Sequence, residues 1–312
     1  MDGRLGSPPG DSVADMRPLP ERIRAGDILV GDGAWGTLLM ARGLAAGQPP
    51  ETFNLSRPEV IEDVARLYLV AGADVITTNT FGGSPVRLRL HSLQDQVEAI
   101  NRSAVEAARR AVGSRAYVSG SIGPSGRLLK PYGDLDSGEL AESFAVQAQA
   151  LAQAGVDLFC IETMTDLVEA QIAVRAARAA GPELPIVATM TFEPTRRGFF
   201  TVMGVSVEQA SRGLAEAGAD LVGSNCGNGV DAMVAVARAF HDCSSLPLAI
   251  QANAGLPETV EGALVYGETP EQFGAAVPAF IDAGVRLIGG CCGTTPAHVR
   301  AMRDAVSRAA RS

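Results

Sequence analysis

The chain alternates between short, uniformly apolar runs and longer amphipathic stretches. Four segments repeat most clearly: LVAGADVITTNT (69–80), LAQAGVDLFCIET (151–163), LAEAGADLVGSNC (214–226) and FIDAGVRLIGGCC (280–292). Each has the pattern of a helix end, an Ala-Gly pair, a short polar link and an apolar strand. The glycine fits the left-handed conformation that ends many helices. A strand that is apolar at nearly every residue is typical of a strand covered on both faces.

Four further apolar runs fall between these repeats, at residues 27–33, 115–123, 184–192 and 246–255. Helical patterns separate the runs, for example at 57–72, 165–180 and 206–218. Strand–helix alternation eight times over predicts an α/β protein with a single (β/α)8 barrel. A doubly wound open sheet is the alternative, but no GxGxxG follows the first strand. We expect residues 1–20 to form a disordered N-terminal tail and residues 21–312 to form the barrel domain.

Composition narrows the class of function. The 312 residues carry a formal net charge of −9, and no basic run forms a patch, which argues against a nucleic-acid or anionic-membrane partner. No apolar run has the length of about eighteen residues that a membrane span needs. The N-terminus lacks the apolar core of a signal peptide. The cysteines number five, an odd count in a long chain, so a disulfide framework is not expected. These features predict a cytoplasmic protein.

A barrel gathers its functional side chains at the carboxyl ends of its strands, around one mouth. The predicted strand ends are strongly polar compared with the strands beneath them. They carry Asp32, Thr78, Asn79, Ser121, Glu162, Thr189, Asn225, Cys226, Asn253, Cys291 and Cys292. The sequence therefore predicts a binding or catalytic site at this mouth.

Three of the five cysteines fall at two of these strand ends. Cys226 follows the sixth predicted strand, and Cys291 and Cys292 follow the eighth. Barrel curvature can bring both ends to a common point, and three thiolates with one open position suit a catalytic zinc ion. The alternatives are a small buried apolar residue, as we expect for Cys160 and Cys243, or a redox-active adjacent pair. Spacing alone leaves zinc and a structural role open, because no CxxC pair is present.

Seven motifs, in their order along the chain, resemble the homocysteine S-methyltransferase family, and most closely the homocysteine module of cobalamin-dependent methionine synthase. They are GDGAWGTLL (31–39), TTNTFGG (77–83), SIGPSGRL (121–128), IETMTD (161–166), SNCG (224–227), QANAG (251–255) and GGCCGTTPAHV (289–299). The resemblance implies a zinc-dependent methyltransferase that moves a methyl group to the thiol of homocysteine and forms methionine. It also implies that the donor is a methylcorrinoid, methylcobalamin, carried by a separate partner protein.

The resemblance further implies roles for individual residues. The metal ligands would be Cys226, Cys291 and Cys292, holding one Zn²⁺ per chain. Glu162 would bind the amino group of homocysteine, and Asp32 would hold its amino-acid end, both as catalytic residues. Asn253 would approach the metal when substrate is absent. The residues implied to bind substrate are Asp32, Gly33, Ala34, Thr78, Asn79, Ser121, Glu162 and Asn253.

Several alternatives stay open at this stage. Trp35 and the loop at 128–134 depart from the family pattern, so the acceptor could be another thiol. A small sulfonium or ammonium donor, of the S-methylmethionine or betaine type, is the second donor class; Trp35 and Phe81 could contact its cation. A non-catalytic zinc- or thiol-binding subunit is the third possibility. Glu162 could instead cap the helix at 165–180, Asp32 could brace the first turn, and His298 could be a surface or capping residue.

Overall fold

The computed structural model describes residues 16–260 and 263–311, and eight parallel strands form its centre. In the sheet the strands follow the order β1-β8-β7-β6-β5-β4-β3-β2, and a parallel bridge between Gly31 and Val75 joins β1 to β2. The predicted (β/α)8 barrel is therefore confirmed. The strands are β1 (Leu29–Val30), β2 (Val75–Thr77), β3 (Tyr117–Ile122), β4 (Leu158–Met164), β5 (Ile186–Met190), β6 (Leu221–Asn225), β7 (Leu248–Ala252) and β8 (Val285–Gly290).

Helices surround the barrel, and α4 and α6 to α12 each follow one barrel strand. In chain order the helices are α1 (Leu19–Arg24), α2 (Gly36–Met40), α3 (Phe53–Ser56), α4 (Pro58–Ala71), α5 (Pro85–Arg89), α6 (Val97–Val112), α7 (Ser137–Ala154), α8 (Leu167–Ala180), α9 (Val207–Ala217), α10 (Val230–His241), α11 (Pro270–Asp282) and α12 (Pro296–Ala309). Short 3-10 turns lie at Pro50–Thr52 and Gln94–Gln96. No helix among the described residues is both long enough and apolar enough to cross a membrane.

Two antiparallel hairpins follow barrel strands at the mouth. The first hairpin pairs Glu193–Thr195 with Gly198–Phe200 after β5, and the second pairs Pro257–Val260 with Ala263–Tyr266 after β7. They were not expected from the sequence pattern. Because β6 lies between β5 and β7, the two hairpins flank the strand end that carries Cys226.

Three of the repeated segments resemble one another because they form the same glycine cap and the same aspartate contacts at the amino-terminal rim of the barrel. Gly72, Gly155 and Gly218 end α4, α7 and α9 in the left-handed conformation, with φ of 99°, 90° and 107°, which confirms the predicted caps. The aspartate two residues later ties neighbouring elements together. Asp157 accepts hydrogen bonds from the amide of Val118 and from Arg109, both at 2.7 Å. The same pair of bonds joins Asp74 to Val30 and Arg303, and Asp220 to Ile186 and Arg178.

The lumen is apolar at the bottom and polar near the mouth. Side chains of a barrel strand alternate between the lumen and the helices. The bottom layer is Leu29, Val75, Tyr117, Leu158, Val187, Leu221, Ala249 and Leu287. By the same alternation the next inward positions are Gly31, Thr77, Ser119, Cys160, Thr189, Gly223, Gln251 and Gly289, of which Cys160 still packs with the apolar bottom cluster. This second layer is small and polar, so the mouth opens onto a lumen that bulky apolar side chains do not fill.

The predicted N-terminal tail is only partly within the described residues. Residues 1–15 lie outside them, so their disorder stays a prediction. Residues 16–20 are described, and Leu19 begins α1. Met16, Leu19 and Ile23 pack against the apolar bottom layer of the lumen. The predicted boundary at residue 21 therefore falls inside a helix that covers the underside of the barrel.

Candidate metal centre

Three cysteine sulfurs meet at the mouth of the barrel. Cys226 follows β6, and Cys291 and Cys292 follow β8, with β7 between them. The Sγ of Cys226 lies 3.9 Å from the Sγ of Cys292, and all three Sγ atoms lie within 4.8 Å of one another. The structure thus brings together the two strand ends on which the zinc prediction depends.

Backbone hydrogen bonds to β7 hold both cysteine segments. The amide of Cys226 donates to the carbonyl of Gln251 at 3.1 Å, and the amide of Cys291 donates to that of Ala252 at 2.7 Å. Cys226 has a φ of 61°, in the left-handed region that a residue with a side chain seldom adopts. Strain of this kind persists where the surrounding structure enforces it, and here it turns the Cys226 sulfur toward the other two.

The donor set fits a tetrahedral zinc ion. Sulfurs bound at about 2.3 Å in tetrahedral geometry lie about 3.8 Å from each other. The distance of 3.9 Å between Cys226 and Cys292 agrees with that spacing. The Asn253 side chain contacts the sulfur of Cys226 and is 4% exposed, and its Oδ1 has no hydrogen-bond partner in the described part of the chain. An unpaired oxygen beside three sulfurs suits the approach to a metal that the family resemblance implies for Asn253.

Three thiols this close cannot all ionise unless a cation balances them. Hydrogen bonds from Cys291 and Cys292 lower the pKa of the Cys226 thiol to about 3. Their hydrogen bonds to Cys226 raise the pKa of Cys291 well above its usual range and that of Cys292 to about 11. The cluster without a metal therefore holds one negative charge, and three thiolates require a bound cation.

Thr294 ties the first loop to the cysteine segment. Its Oγ1 donates to the carbonyl of Cys291 at 2.7 Å and accepts the amide of Ala34 at 3.1 Å. A Cβ at Gly33 would lie 2.7 Å from that Oγ1, so the turn requires glycine there. On the other side, the Tyr68 hydroxyl donates to the carbonyl of Ala34 at 2.6 Å. Sequence reasoning gave Thr294 no role, although it lies within the GGCCGTTP motif.

Asp32 lies buried at the base of this loop. Its carboxylate accepts bonds from Trp35 Nε1 at 2.9 Å, and from the amide and the hydroxyl of Thr77, each at 2.8 Å. Burial raises the pKa of Asp32 from 3.8 to about 6, and these hydrogen bonds oppose the rise. The bonds are those of a residue that braces the first turn, and they hold Trp35 at the mouth. A contact between Asp32 and substrate stays a prediction.

Glu162 faces the lumen near the end of β4. Ser121 Oγ donates to one carboxylate oxygen at 2.5 Å, and Asn225 Nδ2 faces the other at 3.4 Å. Burial raises the pKa of Glu162 to about 7, the Ser121 bond opposes the rise, and the charge of Asp32 adds to it. The side chain of Asp166 caps α8, so Glu162 does not cap that helix.

Asn225 connects the Glu162 segment to the sulfurs. Its Oδ1 accepts the amide of Thr163 at 2.7 Å and the hydroxyl of Thr189 at 2.8 Å. Its Nδ2 donates to Thr163 Oγ1 at 2.8 Å, faces Glu162, and lies 3.9 Å from the sulfur of Cys291. Sequence reasoning placed Asn225 at a strand end without a role. The available signal was its position directly before a predicted metal ligand.

Thr78 and Asn79 are buried but engaged away from the sulfurs. Thr78 Oγ1 accepts the amide of Ser121 at 3.2 Å, and Asn79 Nδ2 donates to Asn54 Oδ1 at 2.8 Å. These bonds place both side chains in the walls of the mouth. Of the three residues expected to line the pocket around Glu162, the structure gives only Ser121 a hydrogen bond to that carboxylate.

His298 links the start of α12 to Glu268, the residue shortly before α11. Its Nδ1 accepts the amide of Thr295 at 3.1 Å in a capping box, so Nε2 carries the proton and donates to the carbonyl of Glu268 at 3.0 Å. The Glu268 carboxylate in turn accepts the amide of Val230 at 2.8 Å, where α10 begins. The predicted capping role is confirmed. The surface alternative is wrong, because the side chain is 5% exposed.

The two remaining cysteines, Cys160 and Cys243, differ in their exposure. Cys160 is buried, as predicted, whereas the prediction of a buried Cys243 is wrong, since that residue is exposed just beyond α10.

Tyr266, which ends the second hairpin, lies against Gly293, where a Cβ would come within 2.1 Å of its ring. Burial raises the pKa of Tyr266 to about 12, and its hydrogen bond with Cys292 contributes. Sequence reasoning missed Tyr266 because it missed the hairpin.

Sequence comparisons identify relatives along nearly the whole chain. The model of a family described as homocysteine S-methyltransferase matches residues 29–306. Methionine synthase of Mycobacterium tuberculosis (strain ATCC 25618 / H37Rv) is 33% identical over 303 residues, covering 91% of this chain and 25% of that protein. Methionine synthase of Mycobacterium leprae (strain TN) is 32% identical over 300 residues, covering 90% and 24%. The chain thus spans about a quarter of the length of these relatives.

Solved structures add an independent comparison. The homocysteine methyltransferase MmuM from Escherichia coli, in its metallated form, is 26% identical with a TM-score of 0.77, covering 95% of this chain and 100% of that one. A methyltransferase from Methanosarcina mazei, 10% identical with a TM-score of 0.59, shares the fold alone.

Proposed function

Because this chain belongs to the homocysteine S-methyltransferase family, we propose that it is a zinc-dependent enzyme that methylates the thiol of homocysteine to give methionine. The observation that carries the proposal is the convergence of Cys226, Cys291 and Cys292 within 4.8 Å, beside the half-buried carboxylate of Glu162. Sulfur ligands and a carboxylate at one mouth match the two ends of a thiol amino acid.

The three cysteines would hold the metal. A free thiol has a pKa near 8.5, so little of it is ionised at neutral pH. When bound, zinc supplies the Lewis acidity that keeps an incoming thiol deprotonated. Cys226, Cys291 and Cys292 supply three thiolate ligands and leave one position for the acceptor sulfur, as in catalytic zinc sites.

Glu162 would hold the other end of the acceptor. Ser121 contacts one carboxylate oxygen of Glu162 and Asn225 faces the other, and the two contacts fix the orientation of the carboxylate. An ammonium group beside Glu162 would favour its ionised form and offset the burial that raises its pKa to about 7. The Asn225 amide spans from Glu162 to Cys291, so it would set the separation between the amino-group and sulfur ends of the site.

We also propose a methylcorrinoid on a partner protein, methylcobalamin, as the methyl donor. The chain matches about a quarter of the length of proteins named methionine synthase, and we propose that the donor is carried by a separate protein. Exposed apolar side chains in the segments that connect barrel strands to the helices outside them offer a surface for such a partner. They include Met40, Leu128, Tyr132, Val202 and Leu256.

A small sulfonium or ammonium donor is the second candidate. The chain covers the whole of a homocysteine methyltransferase at 26% identity, so an enzyme of this size can be self-contained. Trp35 and Phe81 are partly exposed at the mouth and could contact a cationic donor. This candidate keeps the same acceptor site and changes only the origin of the methyl group.

The test combines metal analysis with a donor panel. Zinc content and methionine formation from homocysteine would be measured with methylcobalamin, a methylated corrinoid protein, S-methylmethionine and betaine. We expect Cys291→Ser to lose zinc and activity together, and Cys243→Ser, at the exposed cysteine, to keep both. Zinc and homocysteine binding without methionine from any donor would refute the enzyme and favour a thiol-binding subunit.

A further inference from the structure

The inward face of β7 carries a polar side chain that the site described above does not use. Ala249 belongs to the apolar bottom layer of the lumen and Ile250 to the core between strands and helices. By alternation Gln251 points into the lumen, two residues below Asn253. Gln251 is 6% exposed, and its Oε1 is buried without a hydrogen-bond partner among the described residues.

Glycines create the space in which Gln251 lies. A Cβ at Gly289 would come within 3.1 Å of the Gln251 Cγ, and within 3.5 Å of the Asp32 carbonyl and of the Gly31 Cα. The Gln251 side chain therefore lies against Gly289, the residue of β8 with which it is paired, just beneath the mouth. This is the part of the lumen that a ligand extending below the three sulfurs would enter.

The surroundings of Gln251 favour a cationic hydrogen-bond donor. The upper lumen carries two carboxyl groups, Glu162 at an inward position of β4 and Asp32, which bonds to the inward Thr77, while no lysine or arginine stands at an inward position of this layer in the described chain. A buried acceptor without a donor destabilises the fold, and an entering N–H group removes that penalty. An ammonium group provides such donors together with the charge that two acids attract.

We propose that Gln251 is a substrate-binding residue whose Oε1 accepts a hydrogen bond from the ammonium group of the amino-acid acceptor. The assignment rests on the proposed function, since it takes homocysteine as that acceptor. It makes Gln251 a determinant of specificity: the site selects thiols that carry an amino group over those that do not.

The experiment removes each partner of the proposed hydrogen bond in turn, the glutamine amide by substitution and the ammonium group by a change of ligand. Zinc-loaded, reduced wild type and Gln251→Met would be titrated with homocysteine, its deaminated analogue and its decarboxylated analogue. Trp35 is the only tryptophan in the chain and is bonded to Asp32 at the mouth, so its fluorescence reports binding. Methionine is close to glutamine in size, which limits repacking. A hydrogen bond to a charged group predicts a roughly ten- to hundred-fold loss of affinity for homocysteine and the decarboxylated analogue. Affinity for the deaminated analogue should not change.

Two further variants separate binding from folding. Ser224→Ala removes another buried oxygen that has no hydrogen-bond partner in the described part of the chain, on the face of β6 that points to the helices, and it should leave all three affinities unchanged. Gln251→Glu keeps an acceptor and should retain homocysteine binding even if Gln251→Met folds poorly. The thermal midpoint of Gln251→Met should be kept or raised, because it loses an unpaired polar atom.

The outcomes are distinct. Equal losses for homocysteine and its deaminated analogue, or no loss for either, would overturn the assignment of Gln251 while leaving the proposed function in place. Wild-type protein that binds zinc but not homocysteine would overturn the proposed function itself, and the assignment with it.

Discussion

Replacing Glu162 by glutamine should raise stability while weakening substrate binding. Burial raises the pKa of Glu162 from 4.5 to about 7. A carboxyl group whose pKa is higher in the folded than in the unfolded chain favours the fold while protonated. Its contribution is fully present below about pH 4.5 and is lost as the pH rises through about 7. Glutamine resembles the protonated acid and never ionises, so the variant escapes this loss.

The structure sets the size of the effect. A pKa raised from 4.5 to about 7 corresponds to roughly 3 kcal/mol in the free energy of unfolding above pH 7. Ser121 can still donate to the amide oxygen, but the Asn225 Nδ2 would face the new NH2 group. That clash of donors costs about 1 kcal/mol. We therefore expect Glu162→Gln to be about 2 kcal/mol more stable than wild type at pH 8, and no more stable at pH 4.5.

The assay is urea denaturation of reduced protein with zinc removed by a chelator, at both pH values. Glu193→Gln, at an exposed position of the first hairpin, is the matched control and should show no pH-dependent difference. Restoring zinc should leave the gap at pH 8 nearly unchanged, because the ion displaces the remaining thiol protons and the cluster keeps a net charge of −1. Homocysteine affinity should fall at least about ten-fold in Glu162→Gln. A variant that is less stable than wild type at pH 8 would refute the reasoning.

Three further predictions concern other parts of the molecule. Trp35 fluorescence should change with a midpoint near pH 6 as the Asp32 carboxyl bonded to it ionises, and Asp32→Asn should abolish the transition; persistence of the transition in the variant would assign it to another group. Asn225→Ala should lower the free energy of unfolding by about 2–4 kcal/mol, because two buried donors lose their acceptor, and a denaturation difference under 1 kcal/mol would contradict this. Asp74→Ala should cost about 2 kcal/mol by freeing a strand amide and an arginine at the barrel rim, whereas Asp63→Ala, at an exposed site on α4, should cost almost nothing in the same assay.

The barrel was predictable because its signals are local. Each strand is a short apolar run, and each left-handed glycine directly follows its helix, so eight strands and the caps at Gly72, Gly155 and Gly218 can be derived from neighbouring residues. The aspartate of each repeat is equally visible. The hydrogen-bond partners of these aspartates, in contrast, lie 34–44 residues or more away. The pattern therefore shows that an aspartate recurs without showing which residues it contacts.

The site was predictable only in part, for the same reason. Strand ends in a barrel converge whatever their sequence, which is why the meeting of Cys226 with Cys291 and Cys292 could be expected. What each polar side chain contacts depends on residues far along the chain: the bond between Ala34 and Thr294 spans 260 positions. Thr78 and Asn79 hydrogen-bond within the walls of the mouth, and Asn225 hydrogen-bonds to several residues at once. Both arrangements depend on such distant contacts, which the sequence pattern does not predict, just as it does not predict the hairpins.

The unfavourable features of the lumen share one physical cause. Glu162 and Asp32 are acids whose pKa values burial raises to about 7 and about 6, and the three thiols can together hold one negative charge without a cation. Gln251 adds a buried acceptor that finds no donor among the described residues. Each of these costs is relieved by positive charge or by an N–H group, and none is relieved by repacking with apolar atoms. A lumen built this way is most stable when a dication sits among the sulfurs and an ammonium group lies below. Zinc and an amino thiol should therefore raise the unfolding midpoint together by more than the sum of their separate effects.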